Sequence, residues 1–248
     1  MERWTGKLAV VTGGSSGIGA ACVKDLINAG VIVAILARRE HVMNNFKNSF
    51  PDNLKQNIYP VKCDVTVDNE VISAFKWIKE NLGSVHILIN SAGIADSIYL
   101  SGTYCTKQLQ KNVDTNVMGT VFCVREAFNQ MKDDKIDGHI ILLNSVFDEY
   151  TPSCAFGSMN IYSATKCAIT AMTETYRQEF SAAGTNIKVT SISPGSVNSG
   201  SLPASIRDLV DFTMLKSENV SNTIIFCLST PPHVQIQNIK IKPMHEQF

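Results

Sequence analysis

The chain has 248 residues, 44% of them apolar and 18% charged, with 22 basic and 22 acidic side chains that balance to zero net charge. That length and apolar share let one domain, residues 1–248, bury a full core, and a neutral chain with no basic run longer than a pair gives no electrostatic footing for nucleic acid or a membrane surface. Seven scattered cysteines without a C-x-x-C pair and five histidines without ligand spacing predict reduced core thiols and no metal site. The longest apolar run, Val31 to Ala37, is too short for a bilayer, so the expected location is the cytoplasm.

The first predicted element is a strand, Leu8 to Val11, which runs into Thr12-Gly13-Gly14-Ser15-Ser16-Gly17-Ile18-Gly19 and then an alanine-rich helical pattern. Strand, glycine turn and helix in that order suit a pyrophosphate: glycines allow a tight turn and close backbone approach, and a helix start offers free N–H groups at its positive end. The candidate contacts are Gly13, Ser15, Ser16, Gly17, Ile18 and Gly19. The spacing is Gly-x-x-x-Gly-x-Gly, not the commoner Gly-x-Gly-x-x-Gly, and a ligand-free turn is the competing reading.

Further apolar runs follow at Val31 to Ala37, Ile58 to Val65, Val85 to Asn90, His139 to Asn144, Ile187 to Ile192 and Ile236 to Ile241, with the longest helical patterns at Thr106 to Lys132 and Ile161 to Ala183. This alternation predicts an α/β fold, a Rossmann-type doubly wound parallel sheet with helices on both faces. In such a sheet ligands sit beyond the carboxyl ends of the strands, so the strand exits are the segments that matter. They carry Arg38-Arg39, Asp64-Val65, Asn90-Ser91-Ala92-Gly93, Ser145 and Pro194-Gly195. About twenty residues after the glycine turn, where an acid would take the 2′-hydroxyl of NAD, stand Arg38 and Arg39. A guanidinium pairs with a 2′-phosphate, and the expected cofactor is NADP, a solvated basic pair at the strand end being the competing reading. Asp64 either contacts the adenine or caps the following turn.

Tyr162-Ser163-Ala164-Thr165-Lys166 sets a phenol and an ammonium four residues apart on a predicted helix, hence on one face. The cation favours the phenolate, and bringing a tyrosine from about 10 to about 7 takes roughly 4 kcal/mol, which the lysine and a positively charged cofactor ring could share. A phenol so tuned exchanges a proton with an alcohol or a ketone at neutral pH. Ala164, Ala168 and Ala171 leave one side of the same helix slim enough for close packing of helix on helix.

Taken in order and spacing, the glycine turn, Asp64, Asn90 to Gly93, Asn116, Ser145, Tyr162, Lys166 and Pro194-Gly195 resemble the short-chain dehydrogenase/reductase family over nearly the whole chain. Within it, the opening Met1-Glu2-Arg3-Trp4, the block from Tyr162 to Glu174 and the ending Leu228 to His233 resemble the subgroup of insect farnesol dehydrogenases and vertebrate dehydrogenase/reductase member 11. The resemblance implies a catalytic tetrad. Tyr162 is its proton donor and acceptor, Lys166 lowers the phenol pKa and holds the nicotinamide ribose, and Ser145 bonds the substrate oxygen. Asn116 holds a water near Lys166, its competing reading being a polar helix contact. It also implies cofactor contacts at Asn90, Ala92, Gly93, Pro194, Gly195 and Val197, and a homodimer or homotetramer. Two departures stand out: Ser91 replaces a usual asparagine, and Val146-Phe147-Asp148-Glu149-Tyr150 replaces a small, glycine-containing turn.

The expected substrate is a small hydrophobic alcohol or its carbonyl, because Ile94, Phe147, Phe156 and Leu202, with Val146, Met159 and Val197, are apolar and the adjoining loops carry no Lys or Arg for an anion. The resemblance implies a farnesol-like isoprenoid, which this composition suits, with a steroid or other bulky ketone as the rival and a non-catalytic nicotinamide-binding regulator as the alternative of another class. Asp148 and Glu149 would disfavour an apolar chain if they faced the pocket instead of solvent.

Overall fold

The computed structural model describes residues 1–96, 99–103, 105–149, 151, 159, 161–199 and 213–246. The strands are β1 (Leu8–Thr12), β2 (Ile32–Ala37), β3 (Ile58–Lys62), β4 (Val85–Asn90), β5 (His139–Leu143), β6 (Lys188–Pro194), the short β7 (Val197–Asn198) and β8 (Leu215–Lys216), and β9 (Asn238–Ile241). Seven of them form one parallel sheet in the order β3-β2-β1-β4-β5-β6-β9, while β7 and β8 pair apart from it. The order reverses between β1 and β4, which opens a crevice above their carboxyl ends.

Both faces are covered, so the strands are apolar on both sides and alternate between two cores. Val10, Leu36, Leu88 and Leu142 point to one face, where Val71, Phe75 and Ile78 of α4 (Asp68–Leu82) and Val124 and Met131 of a later helix, Gly119–Asp133, close over them. Val11, Ile35, Ile89 and Ile141 point to the other, against Leu26 and Ile27 of α1 (Gly17–Asn28) and Ile224 of the helix Ser217–Ser229. The remaining helices are α2 (Glu40–Asn48), α3 (Asp52–Lys55), α5 (Thr106–Val113) and α7 (Tyr162–Ala182), and the two just named are α6 and α8. Cys22, Cys63, Cys123 and Cys227 are buried thiols, whereas Cys167 is exposed.

Several boundaries differ from the sequence expectation for visible reasons. β3 ends at Lys62, because the Asp64 carboxylate accepts the Thr66 amide at 3.0 Å and its hydroxyl at 2.8 Å and so turns the chain. The Thr106 to Lys132 pattern is one path broken by a π turn, Asp114–Met118, which widens the helix and swings Asn116 inward. The pair β7–β8 is too short to carry a periodic signal. Among the described residues no helix is long and apolar enough to cross a membrane, and no cluster of three or more metal-ligating side chains occurs.

Candidate active site

A cavity of about 390 Å³ lies in the crevice over β1 and β4 and extends past β5 and β6. At one end is the glycine turn. Gly13 has φ 65° and its Cα face lies 3.1 Å from Ala92, measured from where a Cβ would stand, so two loops meet there with room for hydrogen only. A Cβ on Gly19 would stand 2.6 Å from the Gly13 carbonyl, which makes this glycine the contact that lets α1 start against the turn. Ser16 occupies the helix N-cap position without a side-chain capping bond, so the amino end of α1 opens on the cavity. These features fit a dinucleotide pyrophosphate.

Gly13, Ser15, Ser16, Gly17, Ile18, Arg38, Arg39, Asp64, Val65, Ala92, Gly93, Pro194, Gly195 and Val197 all line the cavity. Gly19, Asn90 and Asn116 stand behind its wall. Asn90 is nearly buried; its amide oxygen accepts from Thr12 Oγ1 at 3.2 Å and its nitrogen donates to Thr120 Oγ1 at 2.8 Å. Thr12 in turn accepts the amides of Ser91 and Ala92, both at 3.0 Å, so the loop bearing Ser91 is held through its backbone.

The opposite end holds Ser145, Tyr162 and Lys166. Ser145 caps a single 3-10 turn, Val146–Asp148, by accepting from the Phe147 amide at 3.3 Å, and its hydroxyl also hydrogen-bonds Tyr162. Tyr162 begins α7 and Lys166 follows one turn on, its Nζ donating to the Leu143 carbonyl at 2.9 Å. Burial pushes the Tyr162 phenol up to about 12, against the pull of Ser145, and brings Lys166 down to about 8, with Asp148 opposing that fall. The lowered phenol that the spacing suggested is therefore not produced by the protein's own groups. Because the ring opens on the cavity, solvent there softens the rise.

Asn116 joins the walls of the cleft. Its nitrogen donates to the Ile94 carbonyl at 2.9 Å and to Thr165 Oγ1 at 3.0 Å, and its oxygen accepts the Ile94 amide at 2.9 Å. Both side-chain donors are thus committed, so a water here would have to be taken by oxygen lone pairs. Its backbone carbonyl already accepts from Thr120 Oγ1 at 2.8 Å.

Ile94, Val146, Phe147 and Met159 line the cavity beside Tyr162, and the Phe147 and Tyr162 rings meet edge to face at 6.5 Å. Phe156 and Leu202 lie outside the described residues. Asp148 and Glu149 do not line the cavity: Asp148 is buried behind Ser145, and Glu149 is an exposed partner of Lys240. Sequence reasoning missed Leu36, Thr115, Leu143, Asn144, Ser196 and Ser199, which also line it, most of them neighbours of the strand-exit residues it named. It also missed Glu246, whose carboxylate accepts the Ser196 amide at 2.7 Å and fills the space where a Cβ of Gly195 would stand. Nothing local in the sequence points to that contact across fifty residues.

This geometry has known counterparts. A family model described as short chain dehydrogenase matches residues 7–208. Farnesol dehydrogenase of Aedes aegypti is 45% identical over 248 residues, covering 100% of both chains. Dehydrogenase/reductase SDR family member 11 of Gallus gallus is 38% identical over 262 positions, covering 99% of each. Among solved structures, a short-chain type dehydrogenase/reductase from Mycobacterium ulcerans superposes with a TM-score of 0.84 at 24% identity, covering 96% of this chain and 89% of that one. Serine dehydrogenase from Escherichia coli does so at 0.80 and 24%, covering 94% and 96%. The chain belongs to the short-chain dehydrogenase family and is an oxidoreductase acting on CH–OH groups.

Proposed function

We propose that this member of the short-chain dehydrogenase family uses NADP to interconvert a hydrophobic alcohol, of the size and character of farnesol, and its carbonyl. The observation that carries the reading is the Ser145–Tyr162 hydroxyl pair facing the same cavity as the glycine turn and the two arginines. A bound nicotinamide supplies the hydride donor or acceptor. Tyr162 then gives its proton to the carbonyl oxygen in reduction and takes it back in oxidation, Ser145 donates to that oxygen as charge grows on it, and Lys166 places a cation beside the phenol. Arg38 and Arg39 take the 2′-phosphate, the uncapped end of α1 takes the pyrophosphate, and Asn116 and Asn90 hold the walls in register.

Support for the substrate comes from the apolar wall beside Tyr162 and from the 45% identical farnesol dehydrogenase. The exposed alanines Ala164 and Ala171 on α7 suit packing against a second copy, as a homodimer or homotetramer. Mixing with NADPH should quench or shift its fluorescence, and NADP⁺ with farnesol should yield NADPH at 340 nm. Cofactor binding without turnover on any alcohol or ketone would favour a regulator, and turnover of hydroxysteroids in preference to farnesol would favour the bulky-ketone reading.

A further inference from the structure

Directly behind Ser145 a carboxylate is sealed into the carboxyl end of the sheet. Asp148 closes the short turn that Ser145 caps, and its side chain is fully buried. Oδ2 accepts from Asn144 Nδ2 and Ser193 Oγ, each at 2.8 Å, and from Thr170 Oγ1 at 3.1 Å. One oxygen therefore gathers donors from the end of β5, from β6 and from α7. Oδ1 makes no hydrogen bond to any described residue and lies 3.8 Å from Lys240 Nζ on β9. The backbone is pinned as well: the Asp148 amide donates to the Ser145 carbonyl at 3.0 Å, and its carbonyl accepts from Cys167 Sγ at 3.1 Å.

Burying a charged group is costly, and losing one partner of a buried pair is costlier still, so a carboxylate here calls for a reason beyond filling space. The groups it faces supply one. Thr170 stands one turn after Lys166 on the same face of α7, and Lys166 is itself buried with its ammonium on the Leu143 carbonyl. The charged and titratable groups around the two are Lys240 from β9, which also pairs with the exposed Glu149, the Cys167 thiol against the Asp148 carbonyl, and the phenol of Tyr162 at the start of α7. Burial works against the ammonium form of Lys166, and Asp148 works for it.

Resting on the reading of Lys166 as the cation beside Tyr162, we infer that Asp148 is a positioning residue that ties the Ser145 turn to α7 and sustains the charge of Lys166. It touches neither cavity nor substrate.

The test follows Lys166 itself. Enzyme labelled with ¹⁵N at lysine Nζ, with the Lys166 signal assigned by its loss in K166R, is titrated as wild type, D148N and K240M. Asp148→Asn keeps an oxygen for the three donors and removes the charge, so the Lys166 midpoint should fall by about one pH unit or more, and the alkaline limb of the kcat/KM profile should move with it. Lys240→Met removes the competing cation and should raise the midpoint. An unmoved midpoint in folded D148N overturns the inference, as does a loss of activity with an unchanged pH profile. Should D148N fail to fold, Asp148→Ser removes the same charge, and an unmoved midpoint in that variant overturns the inference. The titration needs no turnover, so a wild-type protein that oxidises no alcohol would refute the proposed function while Asp148 is still judged by the Lys166 signal.

Discussion

The ammonium of Lys166 lies 5.5 Å from the centroid of the Tyr162 ring, yet it gives its hydrogen bond to the Leu143 carbonyl. Helical spacing brings the two side chains to one face, as the sequence requires, but burial then dominates: it favours neutral lysine and protonated tyrosine. Held this way, the phenol is in the form that donates a proton to a carbonyl oxygen.

Tyr162→Phe should therefore reduce kcat by roughly 10²- to 10⁴-fold, the usual share of a general acid or base, while leaving the NADPH dissociation constant within about twofold. Lys166→Ala should harm both quantities, because in the proposed function the ammonium would serve both the phenol and the ribose. Steady-state kinetics and fluorescence titration on the two variants check this; a Tyr162→Phe enzyme retaining a tenth of the rate would send the proton elsewhere, first to Ser145.

Arg38 and Arg39 are exposed on the cavity wall just past β2. A charge-assisted bond to a 2′-phosphate is worth about 1.5–3 kcal/mol, so NADP(H) should bind roughly 10- to 150-fold more tightly than NAD(H), and replacing both arginines with alanine should erase most of that gap. Equal dissociation constants for the two cofactors in the unmutated protein would reject the assignment.

Gly19→Ala should injure the fold and cofactor binding together. The added methyl would meet backbone, the Gly13 carbonyl at 2.6 Å, and backbone cannot swing aside as a side-chain tip can. A loss of about 1–3 kcal/mol in urea melts, with weaker NADPH binding, is expected. Full stability with intact binding would mean that α1 and the turn have slack the structure does not show.

His139 sets a stability prediction with a definite sign. Thr190 Oγ1 donates to the Ile236 carbonyl at 2.6 Å, so its lone pair accepts from His139 Nε2 at 2.8 Å, and the buried Nδ1 is left bare among the described residues. Burial brings this imidazole down to about 3, with Lys188 and Arg3 adding repulsion. Between about 3 and its unfolded value near 6.5 the unfolded chain binds the proton and the folded one does not, so this contribution is complete above pH 6.5 and is lost as pH falls. Wild type should lose more stability between pH 7 and pH 4.5 than His139→Gln, by up to a few kcal/mol, in urea melts at the two pH values. Equal losses would mean that the imidazole is charged in the folded state.

How far the sequence speaks follows from the range over which its signals act. Strand and helix order are local patterns, and β1, β2, β4 and α7 fall within a residue or two of where periodicity puts them. The glycine turn and the strand exits are legible because a parallel sheet dictates where its carboxyl ends point. What was not legible depends on residues distant in sequence: Glu246 against Gly195 and Ser196, or Asp148 turned inward by donors on three elements while its neighbour Glu149 turns outward. Two adjacent acids with opposite fates carry no local mark of which is which.

That inward turn of Asp148 bears on the substrate, which is the last prediction. With Asp148 behind Ser145 and Glu149 at the surface, the described cavity wall near Tyr162 consists of Ile94, Val146, Phe147, Met159 and small residues, and Lys166 is its one charged member. A substrate anion would find only the Lys166 ammonium, which already donates to the Leu143 carbonyl, and an apolar chain would meet no carboxylate. Each methylene buried contributes about 0.8 kcal/mol, so full burial of a five-carbon isoprene unit is worth about 4 kcal/mol, and kcat/KM should climb across prenyl alcohols of rising length by up to roughly 10³-fold per unit and level off once the pocket is filled. Phe147→Ala should flatten that climb, since the ring that stands edge-on to Tyr162 would no longer support the chain, while kcat for a short alcohol should change little. The measurement is kcat/KM over five-, ten-, fifteen- and twenty-carbon alcohols for both enzymes. A flat series in the wild type, or a preference for carboxylate-bearing substrates, would remove the isoprenoid reading and leave the oxidoreductase without its proposed substrate.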